Sequence, residues 1–179
     1  MADYILTKGG NSALSEGGGN DSWDNITFIL NLDGNYASDD ITKNDQSEFA
    51  KAYNYQFNIP DDATINGVIM RITRYSENDG NITDNEVYLL DTARNPKGTN
   101  KATSNGWAES PETVAYGGSS DLWGTSWTVA DINNANFGIG VDAANSSSSN
   151  RQAYIDYLEI SIHYSRPDVT PIMLVMGAF

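Results

Sequence analysis

Residues 153–164, Ala-Tyr-Ile-Asp-Tyr-Leu-Glu-Ile-Ser-Ile-His-Tyr, carry the pattern that decides the fold. On an extended chain Leu158, Ile160 and Ile162 point one way, and Glu159, Ser161 and His163 the other. A period of two with one apolar side marks a half-buried strand. Residues 65–75 (INGVIMRITRY) repeat it, with Val68, Met70 and Ile72 opposing Ile69, Arg71 and Thr73. Residues 49–59 (FAKAYNYQFNI) alternate as cleanly: Tyr53, Tyr55, Phe57 and Ile59 share one side, Asn54, Gln56 and Asn58 the other. Pro60-Asp61-Asp62 then supplies a turn.

Shorter runs extend the series. Residues 26–32 (ITFILNL) end in Asp33-Gly34 and read as a strand followed by a turn. Residues 86–90 (EVYLL) follow an Asn/Asp/Gly loop, and Phe137, Ile139 and Val141 alternate with Gly138 and Gly140. A single helical turn is expected at 128–133, where Thr128 precedes Asp131 by three, in the manner of a capping box. Seven or eight strands separated by turn clusters predict an all-β protein, an antiparallel β-sandwich of jelly-roll or related type.

Composition agrees. The chain has 179 residues, enough for one domain with its own core. Its 16 Gly and its Asn/Ser/Asp-rich stretches suit many turns, because these residues tolerate positive φ. The balance of 24 acidic against 10 basic side chains gives a formal charge of −14, which phosphate backbones and anionic membranes repel. Neither nucleic acid nor membrane is expected as a partner. With no cysteine there is no disulfide, thiolate nucleophile or zinc–thiolate site. The start, MADYILTKGG, lacks the basic and apolar runs of a secretion signal, so synthesis in a cytoplasm is expected.

The Gly/Asn/Ser-rich residues 1–25 read as an N-terminal arm, residues 26–164 as the sandwich, and 165–179 as a C-terminal arm. Pro167 stops the last strand. Beyond it Ile172, Met173, Leu174, Val175, Met176 and Phe179 put six large apolar side chains on a loose end, an aggregation hazard unless something covers them. Ten residues cannot span a bilayer. These six are the expected assembly residues, docking into a neighbouring subunit by strand addition or groove filling; the alternative is an extra strand on the arm's own domain.

Catalytic chemistry finds little support. His163 is the only histidine, and no nucleophile elbow, phosphate loop or dinucleotide fingerprint is present. Residues 33–40 (DGNYASDD) and 77–86 (ENDGNITDNE) hold oxygen ligands that calcium uses, but the same residues build turns and neither loop has EF-hand spacing. No metal and no cofactor is expected. Trp107, Trp123, Trp127 and Tyr116 form an aromatic-rich middle. Exposed, such rings stack on sugars; the favoured reading has them covering one end of the core, with their N–H groups bonded to loop carbonyls.

One longer pattern is distinctive. It runs Gln56-Phe57-Asn58-Ile59-Pro60, Ala63-Thr64-Ile65-Asn66-Gly67, Tyr116-Gly117-Gly118, Asp121-Leu122-Trp123-Gly124, Trp127-Thr128, Asp131-Ile132-Asn133, Phe137-Gly138, and closes on Ala153-Tyr154-Ile155-Asp156-Tyr157 and Ile162-His163-Tyr164. This is similar to a β-sandwich module of tailed-bacteriophage structural proteins and related bacterial surface proteins, over residues 49–164. The resemblance implies a structural or adhesive role and brings no catalytic residues. On it rests the expectation of a non-enzymatic virion protein, a head decoration or minor capsid protein working as a homo-oligomer against capsid or other virion subunits. The alternative it allows is a carbohydrate-binding receptor module of a tail fibre or surface appendage.

Overall fold

The computed structural model describes residues 2–77 and 80–168. The six apolar residues of the C-terminal arm, Ile172 to Met176 and Phe179, lie outside them. Two five-stranded sheets pack face to face, and every pairing between named strands is antiparallel. The first holds β1 (Ala2–Gly9), β3 (Ala37–Ile41), β5 (Thr64–Ser76), β8 (Glu112–Gly117) and β10 (Arg151–Arg166). The second holds β2 (Ser12–Gly18), β4 (Glu48–Tyr53), β6 (Ile82–Leu90), β7 (Pro96–Lys97) and β9 (Gly138–Asn145), in the order β2-β4-β9-β6-β7.

The first sheet is built on β10. One side of that strand pairs with β5; the other is shared end to end by β3 and β1. The sequence alternation appears as burial: Val68, Met70 and Ile72 of β5 and Leu158, Ile160 and Ile162 of β10 have no exposed surface. In the second sheet Val87, Leu89, Ile139, Val141, Ala50 and Ala52 are buried in the same core. The predicted helical turn is α1 (Val129–Asn133), with Thr128 and Asp131 exchanging both capping-box hydrogen bonds.

Three expectations need correction. Residues 2–18, read as part of an arm, are β1 and β2, an edge strand in each sheet. Glycine there serves close approach and turning, not flexibility. A Cβ on Gly19 would collide with the Gln46 carbonyl, and Gly17 and Gly18 hold left-handed φ of 68° and 83° where β2 bulges. Residues 26–32 are no strand: Ile26–Ile29 form a 3-10 turn entered through left-handed Asn25, and Leu30 makes only an isolated bridge to Tyr157. A bare apolar run without alternation does not distinguish the two.

Residues 49–59 are strand only to Tyr53. Beyond it Asn54 and Gln56 adopt left-handed φ of 62° and 54°, and Tyr55, Phe57 and Ile59 still all turn inward. Left-handed residues at every second position thus imitate a strand's period. Side chains take over the missing ladder: Asn133 accepts from Ile59 N–H at 2.9 Å and donates to its carbonyl at 2.8 Å.

Candidate functional site

The aromatic middle converges on one carboxylate. Arg74 of β5 and Asp84 of β6 both occupy core-facing positions and are buried. Asp84 Oδ1 accepts from Arg74 Nη1 and from the Trp107 indole (2.9 Å). Asp84 Oδ2 accepts from the Tyr116 hydroxyl (2.8 Å), Thr103 N–H (3.0 Å) and Thr103 Oγ1 (3.1 Å). The guanidinium lies 4.5 Å from the centre of the Trp107 ring. Burial lowers the Arg74 pKa, opposed by nearby Tyr116 and Glu112, and burial raises that of Tyr116. Five donors saturate this carboxylate, so it ties four segments together and has no lone pair turned to solvent.

Trp123 is equally enclosed. Its indole donates to the Val68 carbonyl at 3.0 Å, and the Trp127 indole donates to the Leu122 carbonyl at 3.1 Å. Trp107 and Trp123 are 0 % exposed, Tyr116 4 % and Trp127 7 %. The four side chains proposed for glycan stacking therefore offer no open platform: their polar tips are bonded inside the fold and their faces are packed. The outer aromatic cluster is Tyr36, Tyr75 and Tyr154. There Tyr75 and Tyr154 stack at 4.4 Å and Tyr36 meets both edge-on. These rings mainly face one another.

The acidic loops are tied into the fold. Asp33 and Gly34 N–H groups donate to Asp156, and Asp33 accepts from Asn35 N–H at 3.0 Å. Among the described residues no group of three or more carboxylate or histidine side chains is arranged to hold a metal ion. Two buried acids stand apart. Burial pushes Asp39 up to about 7, helped by Asp21, Asp24, Asp40 and Glu48, and its Oδ2 has no hydrogen-bond partner. Burial also pushes Asp142 to about 7, against hydrogen bonds from Asn85 and Glu86 N–H.

Among the described residues, one open feature is the sheet edge at β1. β1 pairs with β10 from Ala2↔Arg166 to Gly9↔Glu159 without a register break, and nothing pairs with its other side among the described residues. Ile5 is 65 % exposed and Tyr4, stacked on Tyr164, is 42 % exposed. From these residues a groove of about 390 Å³ crosses the sheet inward, over His163 and Tyr164 of β10 to Asn66 of β5 and Ser119 after β8. This surface escapes sequence reading because Tyr4-Ile5-Leu6 is apolar on both sides and shows no period.

Fold and surface define a class: an acidic two-sheet antiparallel sandwich with a fully bonded buried carboxylate at Asp84 and, among the described residues, an unpaired edge at β1. No protein-family model and no curated protein sequence matches the chain.

Proposed function

We propose that this chain is a non-catalytic structural subunit of a virion, a head decoration or minor capsid protein made in the host cytoplasm, that holds to its neighbours through its C-terminal arm. The observation that supports this reading is the pairing of Ala2 with Arg166: the chain leaves β10 for its apolar tail beside the open edge of β1. On a molecule of formal charge −14 an apolar tail and an open strand edge are unusual features, and the strand that precedes the tail ends opposite the start of β1. The resemblance of residues 49–164 to phage structural modules points the same way. Its partners are capsid or other virion subunits, including further copies of itself, with neither nucleic acid nor membrane. The receptor-module alternative loses its stacking platform, because Trp107, Trp123, Trp127 and Tyr116 are buried.

The test removes residues 170–179 and measures thermal unfolding, self-association and co-sedimentation with purified particles side by side. The expected result is an unchanged melting temperature with association and particle binding lost. Burying one large apolar side chain is worth ~1.5–3 kcal/mol, so six supply a gross term on the order of 10 kcal/mol, reduced by the cost of ordering the arm. A truncated chain that unfolds early places the arm in its own core and sinks the proposal, as does one that binds particles undiminished.

A further inference from the structure

We propose that the open edge of β1 receives residues 172–179 of a second copy of this chain as an added strand. The inference rests on the assembly role proposed for the arm and assigns it a receiving surface.

The argument begins with how the other edges end. An exposed edge strand is a template for pairing with any extended chain, and folded proteins interrupt or shorten such edges. β2 carries a bulge with two left-handed glycines. β7 is two residues long and opens with Pro96. β8 has six residues, follows Pro111 and ends in left-handed Gly117. The outer side of β3 is occupied by Asp24, which exchanges two backbone hydrogen bonds with Ser38. β1 has none of these devices. It is eight residues long, regular, without proline, and puts Ile5 on its solvent side.

The occupant follows from the chain that lies beyond Asp168. Residues 172–179 number eight, as does β1, and eight extended residues span ~26 Å. Residues 170–179 contain no charged side chain, so they add no repulsion to an acidic surface. In extended form they are apolar on both sides: Ile172, Leu174 and Met176 alternate with Met173 and Val175. One set meets Ile5 and the other the side of Tyr4 and Leu6.

Chain direction selects a second copy. β10 and β1 are antiparallel, so a tail turning back after Arg166 onto its own β1 would run parallel to it, in the weaker ladder. Its connector, residues 167–171, would also have to cross the end of β1 at Ala2 with a proline at each end. A tail from another copy carries neither constraint and can pair antiparallel.

The natural chain has no cysteine, so introduced thiols report without background. Full-length Ile5→Cys protein is mixed with Met173→Cys, Leu174→Cys or Val175→Cys protein and oxidised mildly. The expected product is a disulfide-linked pair between two chains for at least one tail position. The doubly substituted chain Ile5→Cys/Leu174→Cys should likewise link between molecules. A link only within one chain, or no link at any position, overturns the inference. A second variant, Ile5→Lys, should melt like the unsubstituted chain, since the side chain is exposed, and should self-associate at least tenfold more weakly. Unchanged association of Ile5→Lys also overturns it. If deleting 170–179 abolishes association while Ile5→Lys does not, the arm keeps its role and this surface loses it. If the deletion leaves association intact, the arm itself is at fault.

Discussion

Replacing Asp84 by Asn probes the buried network at one atom, with almost no change of volume. In the native side chain Oδ1 serves Arg74 and the Trp107 indole, and Oδ2 serves Thr103 and Tyr116. Either way round, the new NH₂ group faces an N–H that cannot turn to accept, from Trp107 or from the Thr103 backbone. Arg74 also loses its close counter-ion and keeps only Glu112, 3.9 Å from Nε. Breaking a buried pair by removing one partner costs about 3–5 kcal/mol. For 179 residues the unfolding entropy is ~0.4 kcal/mol/K, which converts that cost to a fall in Tm of about 8–13 °C. The assay is calorimetric unfolding of the native chain, Asp84→Asn, Arg74→Met and the double variant. The double variant should lose less than the two singles together, since Arg74→Met removes the charge that Asp84→Asn strands. A fall under ~3 °C for Asp84→Asn, or strict additivity, would refute the view that this cluster ties the end of the sandwich together.

Two other outcomes follow from the interior. Asp39 has a folded value of about 7 against an ordinary 3.8, so the folded state holds its proton more tightly, and its contribution to stability fades as pH rises through that window. Asp39→Asn should therefore gain stability over the native chain as pH goes from 5 to 8, by up to a few kcal/mol, in parallel denaturant titrations; a difference that stays flat with pH would count against it. Gly138 lies in β9 between β4 and β6, where an added Cβ would strike the Ala52 carbonyl. Gly138→Ala should cost about 1–3 kcal/mol by overpacking, read as a lower midpoint in urea with an unchanged slope; an unaltered midpoint would show that the strands can part there.

How much of this was legible in advance depended on what each residue had to do. β5 and β10 could be read because each has a packed side and a polar side, so their chemistry alternates. The stretch after Tyr53 carried the same signal for another reason, since left-handed Asn54 and Gln56 also send every second side chain inward. β2 was hidden by glycine and serine, whose role of letting backbones approach is indistinguishable in composition from that of a linker. The burial of the tryptophans was foreseeable from their size and N–H groups. Asp84 was not, because its partners Arg74, Thr103, Trp107 and Tyr116 come from separate segments and have no common spacing. The open edge was invisible for the reason that makes it sticky: Ile5 is apolar where alternation calls for a polar residue.

The long strand β10 also sets the order in which the protein can be made. It is the last strand of the described chain, yet β3 and β1 pair with no other named strand and β5 otherwise has only β8. A ribosome must therefore release nearly the whole sandwich before the first sheet has its spine. Until then Val68, Met70 and Ile72 have no β10 beside them, and Ala2 waits for Arg166. Such distant pairing slows folding, because a long loop must close before any contact compensates for it. The nascent chain accordingly spends synthesis with unpaired strands beside an apolar surface, where neighbouring nascent copies meet it first. Fast closure of β10 against β5 therefore limits how long these strand edges stay exposed.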